Sequence, residues 1–414
     1  MKILLLNDRY PPRYESSVAS ITSNLAKEYE ARGHTVSVIT SHRKDVSQEI
    51  LREGNSISLP VEYRPSLRHF KSIKQGAVSL LLEKEIRKLE PDVVHAHNVH
   101  MYLTYDALRI ARQYTDAVFI TMHDVMSFHY GRLMTRRYIA SEGADTKTTV
   151  QDHIRQAGLQ WNPVRNRIIR SMLDRNVTNV VAVSDALKRA LDSNGIPHTC
   201  VVHNGIDTAS WEAHTKEIAA FRRRHNLEGK KVMLFGGRLS RDKGSTPLLH
   251  ALSKIRKAIP NVMLLAIGNP KTWAGLHKEA AVMEDLSPYI RNIDWLPKEG
   301  MRAAYGACDV VTTPSLCLDT FNLMNAEAMA NSKPVVGTCF GGTPEVVENG
   351  VTGFICNPLH TDEYANLLLT LLSDDALAVK MGKAGKERVE KLFTVERQTE
   401  KYLALYERLA RSGQ

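Results

Sequence analysis

Residues 231–250 have the sequence KVMLFGGRLSRDKGSTPLLH, in which a short apolar run ends in two glycines and a basic turn leads into a helical pattern. A strand buried inside a parallel sheet has this apolar character, because helices cover both faces of such a sheet. The turn lies at the carboxyl end of the strand, where open α/β sheets bind their ligands. The stretch therefore predicts a strand–turn–helix unit of a doubly wound fold.

The same alternation of apolar runs and helical patterns continues along most of the chain, which is typical of parallel sheets covered by helices. The predicted strands are KILLLN (2–7), TVSVIT (35–40), DVVHAH (92–97), AVFITMH (117–123), NVVAVS (179–184), KVMLFGG (231–237), VMLLAIG (262–268), DVVTTPS (309–315) and KPVVGT (333–338). The predicted helices are 17–32, 72–89, 101–114, 163–176, 245–257, 299–306, 321–331 and 361–373. The fold class is thus α/β, with two Rossmann-like doubly wound units in tandem.

The chain of 414 residues is long for one hydrophobic core, so two domains are expected. The pattern restarts near CVVHNGIDTASW (200–211), which places the first domain at 1–203 and the second at 204–394. Residues 395–414 have apolar side chains on one helix face and are predicted to pack back on the first domain. Two such domains facing across a cleft would place the strand ends around a ligand.

The composition excludes several classes of protein. Five scattered cysteines without C-x-x-C spacing indicate neither a disulfide framework nor a zinc site. The first residues, MKILLLNDRYPP, hold an apolar run too short for a signal peptide, and no run approaches the roughly 18 apolar residues of a membrane span. The net charge of +10 attracts anions, but no nucleic-acid-binding motif accompanies it. We expect a cytoplasmic protein that does not bind nucleic acid.

The turn GGRLSRDKG (236–244) predicts a diphosphate site. Gly237 lets backbone approach a ligand closely, and Arg238 and Lys243 are placed to reach it from the end of the strand. The turn is neither a G-x-G-x-x-G fingerprint nor a Walker loop, and the chain has no D-x-D or H-E-x-x-H motif. We therefore expect no metal and no cofactor, so that cationic side chains and helix N-termini offset the phosphate charge. A solvated basic turn remains the alternative.

The stretch LDTFNLMNAEAMA (318–330) carries two carboxylates where a loop passes into a helix predicted to begin near Phe321. Asp319 is placed to accept hydrogen bonds from polyol hydroxyls, and Glu327 is placed to accept them from a ribose. The first-turn amides are expected to donate to a phosphate; they belong to Thr320, Phe321, Asn322 and Leu323. The alternative is that both acids lie on a solvated helix face.

Taken in order, these motifs resemble the family 4 retaining glycosyltransferases, which have the GT-B fold and use nucleotide-diphosphate sugars. The motifs that carry the resemblance are GGRLSRDKG (236–244), the acid pair, EAMANSKPVVGT (327–338) and GGTPEVVENGVTGF (341–354), preceded by the PP loop (11–12), HAHN (95–98), TMHD (121–124), VSDALK (183–188) and HNGID (203–207). Each motif is weak alone, whereas their joint order and spacing are specific. The resemblance covers most of the chain.

The resemblance implies a role for each site residue. Arg238 and Lys243 would bind the donor diphosphate, Glu327 the ribose, and Asp319 the hydroxyls of the donor sugar. His123 would lie beside that sugar, although a histidine at a strand end is more often a structural hydrogen bonder. The glycines of the 340–354 turn, Gly341 and Gly342, would lie near the nucleotide or sugar.

The sequence departs from the family pattern at three places. Asp319 stands where the family usually has Glu, and Thr320-Phe321-Asn322 stands where it has Gly-Phe-Gly. After the PP loop, residues 13–17 (RYESS) replace the usual Gly-Gly. Asn tolerates left-handed backbone better than most residues. In the third stretch the acceptor-side contacts are assigned to Glu15, Ser16 and Ser17.

Two basic segments concern the acceptor. Residues 125–175 carry nine Lys/Arg against four acids, and residues 64–84 combine basic and apolar side chains. Both patterns suit an anionic membrane surface or a charged acceptor, and solvated helix faces remain the alternative. The family adds sugars to lipid-linked and polysaccharide acceptors, so the resemblance implies a glycan, lipid-linked or small-molecule acceptor and association with the inner membrane face.

The hypothesis is a metal-independent, retaining hexosyltransferase of polysaccharide biosynthesis that uses a UDP- or GDP-linked donor. No residue is an obvious nucleophile, so attack on the face of departure, as the family resemblance implies, is preferred over a covalent double displacement. Two alternatives stay open. One is a nucleotide-sugar epimerase or hydrolase of the same fold, which would form product without an acceptor. The other is a noncatalytic nucleotide-sugar-binding subunit, which would bind without turnover.

Overall fold

The computed structural model describes residues 1–14, 16–62, 67–237, 240–269 and 285–412. Its contacts divide the chain into two compact units. The first unit comprises 1–135, 146–205 and 395–414, and the second comprises 136–145 and 206–394. Each unit is an α/β layer structure with a mainly or wholly parallel sheet, as the alternating sequence pattern predicts.

The first unit has an eight-stranded sheet in the order β3-β4-β2-β1-β5-β6-β7-β8, parallel except for the β3–β4 pair. The strands are β1 (Lys2–Asn7), β2 (Thr35–Arg43), β3 (Leu51–Glu53), β4 (Ser56–Val61), β5 (Val93–His97), β6 (Val118–Met122), β7 (Asn179–Ala182) and β8 (Thr199–Val201). The helices before residue 130 are α1 (Ser17–Ala31), α2 (Arg68–Lys71), α3 (Gly76–Leu89) and α4 (Asp106–Ala111). The central strands are buried on both faces, which explains their unbroken apolar runs.

The second unit has a six-stranded parallel sheet in the order β11-β10-β9-β12-β13-β14. The strands are β9 (Lys231–Gly236), β10 (Val262–Ile267), β11 (Ile290–Ile293), β12 (Val310–Thr313), β13 (Val335–Thr338) and β14 (Gly353–Cys356). The chain moves outward from β9 to β11 and then returns to the other side of β9 at β12. The strand order therefore reverses between β9 and β12, a position where doubly wound sheets bind ligands.

The remaining helices connect successive strands along the chain and cover the sheets. In the insertion they are α5 (Arg136–Ala140), α6 (Val150–Ala157) and α7 (Arg165–Asn176), and α8 (Asp185–Ser193) follows β7. Among the described residues of the second half they are α9 (Thr215–Arg224), α10 (Ser245–Ala258), α11 (Lys298–Ala307), α12 (Leu323–Ala330), α13 (Thr343–Val346), α14 (Thr361–Ser373) and α15 (Asp375–Leu392). The last helix, α16 (Val395–Ser412), returns to the first unit.

Several predicted boundaries need correction. The helix predicted at 72–89 begins only at Gly76, after the separate short helix α2, and the helix predicted at 101–114 covers only Asp106–Ala111. The helix expected to begin near Phe321 begins at Leu323. It starts later because Asn322 adopts φ 56°, a left-handed conformation that cannot continue a helix.

The basic insertion at 125–175 is only partly a surface. Arg165 was counted among its basic side chains, but it is fully buried. Its guanidinium lies 4.9 Å from the Tyr130 ring centroid and donates to the Met126 carbonyl at 2.6 Å and to Asn166 at 2.8 Å. Arg165 therefore holds the insertion together and cannot contact a membrane. Among the described residues, no helix has the length and apolar composition to cross a bilayer.

Candidate active site

The loops after β9, β12 and β13 meet at the carboxyl edge of the second sheet. Because these three strands are neighbours and parallel, their carboxyl ends lie side by side. Residues 237–244 follow β9, residues 314–322 follow β12, and residues 339–342 follow β13. This edge gathers most of the predicted site residues.

The Lys243 ammonium forms an ion pair with the Asp319 carboxylate, and Ser315 donates to the same carboxylate at 3.2 Å. The two side chains retain 23% and 14% of their exposure, so a ligand can reach both. Their loops are joined through backbone, because the Leu316 amide donates to the Asp242 carbonyl at 2.9 Å. At Gly244, with φ 77°, a Cβ would lie 1.8 Å from the Pro314 carbonyl oxygen. Only glycine allows this approach.

A second close backbone approach fixes the main chain of Asp319. The Gly342 amide donates to the Asp319 carbonyl at 2.8 Å. At Gly341, with φ 71°, a Cβ would lie 2.3 Å from that same carbonyl oxygen. The two glycines of the 340–354 turn therefore hold Asp319 by its backbone, while Lys243 and Ser315 hold its side chain.

Helix α12 directs its N-terminus toward this edge. No side chain caps the helix at Asn322, so its first amides are not satisfied by a cap. A helix N-terminus carries partial positive charge and favours anions. The helix is held by the buried Asn325, which accepts from Thr313 at 2.9 Å and donates to Thr343 at 3.4 Å.

Glu327 lies on α12 and contacts Tyr305 of α11. The Tyr305 hydroxyl donates to Glu327 Oε2 at 2.7 Å. Burial raises the pKa of Glu327 to about 7, while Tyr305 and Lys298 oppose the rise. Tyr305 itself is fully buried, and its ring packs edge-on against Trp211 with centroids 5.8 Å apart. Tyr305 therefore holds in place a carboxyl group that changes its protonation state near neutral pH.

In the first unit, His123 follows β6 and contacts a histidine of β5. His97 Nδ1 lies 3.0 Å from His123 Nε2, and the rings stack with centroids 5.3 Å apart. Burial lowers the pKa of His123 to about 4 and that of His97 well below its ordinary value. Both imidazoles are therefore neutral at physiological pH.

Among the described residues the buried Nε2 of His97 has no hydrogen-bonding partner. An orphaned acceptor is tolerated better than an orphaned N–H, which favours the His97 proton on Nδ1. His97 then donates to His123, whose own proton lies on Nδ1. The resulting His123 is a neutral hydrogen-bond donor.

A polar network lies next to these histidines. His95 Nδ1 lies 2.6 Å from the Tyr406 hydroxyl, and His95 Nε2 lies 2.8 Å from Thr121 Oγ1. Tyr402 contacts Thr121 at 2.9 Å, and Tyr406 contacts the hydroxyl of Tyr29 at 3.0 Å. Helix α16 therefore provides partners for His95 and Thr121 on the strands that carry His97 and lead to His123.

The remaining predicted site residues are distributed as follows. Ser16 is the N-cap of α1, its hydroxyl accepting from the Ala19 amide at 3.2 Å, and Ser17 is the first helical residue. Gly237 has φ 119° at the end of β9. Arg238 and Glu15 lie outside the described residues. The second unit thus brings Lys243 and Asp319 into contact, whereas His123, Ser16 and Ser17 belong to the first unit.

Four residues that hold the predicted ones in place were missed from the sequence: Ser315, Asn325, Tyr305 and His97. HAHN (95–98) and the helix pattern at 299–306 marked the segments of His97 and Tyr305, but no spacing pairs Tyr305 with Glu327, 22 residues away. Asn325 gives a usable signal, because an amide in an otherwise apolar helix segment is expected to have a buried partner.

Two family models match the chain in succession. The model described as Glycosyltransferase Family 4 matches residues 18–210, and the one described as Glycosyl transferases group 1 matches residues 217–388. Their junction falls near the residues at which the chain passes from the first unit to the second.

The similar proteins described next each cover more than three quarters of the chain. Spore coat protein SA of Bacillus subtilis (strain 168) is 26% identical over 81% of this chain and 96% of its own length. Glycogen synthase of Mycobacterium tuberculosis (strain ATCC 25618 / H37Rv) is 24% identical over 94% and 90%. The solved structure of Anabaena Alr3699/HepE in complex with UDP has a TM-score of 0.71 at 19% identity, over 98% of this chain and 100% of that one.

Proposed function

The chain belongs to the family 4 glycosyltransferases with the GT-B fold, and on that premise we propose that it moves a hexose-type sugar from a nucleotide-diphosphate donor to a hydroxyl with retention of configuration. The observation that carries the proposal is the contact between Lys243 and Asp319 at the strand-order reversal of the second sheet. In this partly open site the cation suits the diphosphate of such a donor, and the carboxylate suits the hydroxyls of its sugar.

The donor replaces the Lys243–Asp319 ion pair by two new sets of contacts. Its diphosphate competes for the Lys243 ammonium, and its sugar hydroxyls donate to the Asp319 carboxylate. Arg238 and the N-terminus of α12 are proposed to share the phosphate charge. Because the leaving group is a diphosphate, stabilising its negative charge is the main electrostatic task of the site.

Glu327 and His123 have separate roles in this scheme. Glu327, fixed by Tyr305, accepts hydrogen bonds from the ribose hydroxyls. His123, neutral and held by His97, orients the sugar as a hydrogen-bond donor. Neither residue acts as a nucleophile, so we propose departure and attack on the same face of the sugar.

The nucleotide is proposed to be UDP or GDP, and UDP is the first to test because Alr3699/HepE was solved in complexes with UDP and with UDP-glucose. A thermal-shift series with UDP, GDP, ADP, TDP and their sugars, in EDTA throughout, tests donor binding without metal. We expect selective stabilisation by one nucleotide and its loss in Lys243→Ala. If none of the nucleotides raised the melting temperature, the proposal would be contradicted.

Turnover is tested with the selected donor and a panel of glycan, lipid-linked and small-molecule acceptors, in EDTA. We expect transfer that depends on the acceptor, and nuclear magnetic resonance of the product should show the anomeric configuration of the donor. Inverted product would contradict retention. Product that forms equally without acceptor would indicate a hydrolase or epimerase.

A membrane role is proposed for the surface of α6 and the turn after it. Val150, Ile154 and Leu159 are exposed at 58%, 45% and 104%, with Arg155 and Arg167 nearby in the sequence. In residues 64–84, Phe70 is exposed at 45% next to Lys71. Apolar side chains among basic ones are typical of helices that lie on anionic bilayers.

Flotation with anionic and zwitterionic vesicles tests this surface. We expect binding to the anionic vesicles only, and about tenfold weaker binding after Ile154→Ser with Leu159→Ser. Val379→Ser, a change at a side chain 70% exposed on the second unit, is the matched control. Equal binding by all three proteins would remove the membrane role and leave the acceptor as the basic segments' target.

A further inference from the structure

Residues 136–145, which we name the clasp, leave the first unit in the middle of the basic insertion. Their contacts place them in the second unit, whereas residues 1–135 and 146–205 on either side belong to the first. The sequence assigned the whole of 125–175 to one basic surface, so the clasp is a feature that only the structure reveals.

The clasp is a compact turn with its own internal bonds. Helix α5 ends at Ala140, and the Gly143 amide donates to the Tyr138 carbonyl at 2.8 Å. The Ser141 hydroxyl accepts from the Asp145 amide at 2.8 Å. Glu142 and Gly143 adopt φ 50° and φ 90°, which reverse the chain. These bonds give the clasp a defined shape.

Two side chains attach the clasp to the second unit. Tyr138 is fully buried, and its ring centroid lies 5.5 Å from that of the equally buried Phe340. Glu142 Oε1 accepts from Asn357 Nδ2 at 3.0 Å, at the end of β14. These two contacts fix the conformation of ten residues, which costs conformational entropy. None of the ten belongs to the sheet of the first unit.

Phe340 immediately precedes the two glycines that hold Asp319. The Gly342 amide donates to the Asp319 carbonyl, and Gly341 lies in direct backbone contact with it. Tyr138 reaches this turn through Phe340, because the two buried rings lie in contact. The clasp is thus one residue removed from the candidate active site.

We propose that Tyr138 and Glu142 are positioning residues of the donor-sugar site, which set the place of Asp319 through Phe340, Gly341 and Gly342. The proposal rests on the function proposed above for Asp319. Tyr138 covers Phe340 and keeps the glycine turn pressed on the Asp319 carbonyl, and Glu142 anchors the clasp. Because Asp319 contacts the sugar and not the nucleotide, loss of the clasp affects transfer and spares nucleotide binding.

The kinetic test compares Tyr138→Ala, Tyr138→Phe and Glu142→Ala with Ala140→Ser, a change at an exposed, uncharged clasp residue that serves as control. We expect kcat to fall about tenfold in Tyr138→Ala and severalfold in Glu142→Ala, with the Kd of the nucleoside diphosphate within about twofold of wild type. Tyr138→Phe keeps the ring and should recover most of the activity. Ala140→Ser should match wild type.

Two outcomes would overturn the proposal on kinetic grounds. The first is a kcat for Tyr138→Ala equal to that of Ala140→Ser. The second is full additivity with Asp319→Ala, because residues that act as one unit lose little more when both are changed. We expect the double variant to be no slower than Asp319→Ala alone.

Hydrogen exchange decides the proposal independently of turnover. The Gly342 amide, bonded to the Asp319 carbonyl, should exchange about tenfold faster in Tyr138→Ala than in Ala140→Ser, with the amides of β9 unchanged. An unchanged Gly342 amide overturns the positioning role. A wild-type protein that transfers no sugar would instead contradict the proposed function, and the exchange result would still stand.

Discussion

The carboxyl edges of the two sheets are held together by different kinds of contact. In the first unit, side chains hold one another, from His123 through His97 and from His95 to Tyr406. In the second unit, backbone holds backbone, because Gly244 and Gly341 bring loops into direct contact. A side-chain network can lose one hydroxyl and relax, whereas a backbone contact leaves no room for an added atom. The second edge should therefore be the less tolerant of change.

The largest effect is expected from Gly341→Ala. The new Cβ would overlap the Asp319 carbonyl at φ 71°, so we expect a loss of about 3 kcal/mol in the free energy of unfolding and at least a hundredfold loss of turnover. Chemical denaturation and steady-state kinetics measure the two losses.

Gly350→Ala is the matched control for this change. Gly350 has a similar φ of 78° but nothing within 4 Å of an added Cβ, so it should lose only about 1 kcal/mol and keep its activity. Equal losses at the two glycines would mean that conformational strain alone, and not the contact with Asp319, controls this edge.

The second effect separates the two carboxylates of the same edge. Asp319→Ala should lower kcat about a hundredfold while the nucleotide Kd stays within about threefold, because Asp319 is assigned to the sugar. Glu327→Ala should weaken the nucleotide about tenfold, because it is assigned to the ribose. Calorimetric titration and kinetics of both variants measure the split. Identical profiles for the two variants would contradict their separate roles.

The third effect is a pH dependence of nucleotide binding. Burial raises the pKa of Glu327 from its ordinary value of 4.5 to about 7. Ribose hydroxyls donate more strongly to the ionised carboxylate, so the nucleotide should bind severalfold more tightly at about pH 8 than at about pH 6. Subtracting the profile of Glu327→Gln removes the titration of the phosphate itself.

The same pKa has a consequence for stability with a definite sign. Between about pH 4.5 and 7 the folded protein binds more protons at Glu327 than the unfolded chain does. The contribution of Glu327 to the free energy of unfolding therefore falls as the pH rises. Glu327→Gln should thus gain about 2.5 kcal/mol relative to wild type on going from about pH 5 to about pH 8. Tyr305→Phe removes a donor to the carboxylate and should move the binding transition to higher pH. An unchanged transition would dismiss Tyr305 as a positioning residue.

The smallest effect is expected in the side-chain network of the first unit. Tyr406→Phe removes the hydroxyl that contacts His95 and Tyr29, and it should cost about 1 kcal/mol of stability with little change in kcat. Tyr114→Phe, at a partly exposed tyrosine, is the control and should be neutral. A large loss of activity in Tyr406→Phe would mean that this edge is as intolerant as the other.

The sequence was sufficient where one local pattern determined the structure. The strands at 2–7, 231–237 and 262–268 were predicted almost to the residue because they are unbroken apolar runs. Strands β3 and β4 were missed, since their residues mix Ser, Arg and Glu with apolar side chains and lack that signal. The start of α12 was misplaced because the left-handed Asn322 ends the preceding loop, a choice that propensity alone does not determine.

The site was predictable in its parts and not in its connections. Lys243 and Asp319 were selected as binding residues from separate motifs, and their direct contact follows from the adjacency of β9 and β12. The clasp was unpredictable for the same reason, because its sequence, with two arginines and two acids, is equally compatible with solvent, and only contacts such as the buried Tyr138–Phe340 pair assign it to the second unit. Contacts between distant segments depend on the whole fold, which a local pattern does not encode.

Helix α16 also sets an order of events during synthesis. Tyr406 contacts Tyr29 and His95, which lie 377 and 311 residues before it in the chain. A ribosome must therefore finish the whole second unit before the buried polar groups under the first sheet acquire their partners. Until α16 has been made, His95 and Tyr29 lack the hydrogen bonds that they form with Tyr406, so the first unit completes these buried contacts last.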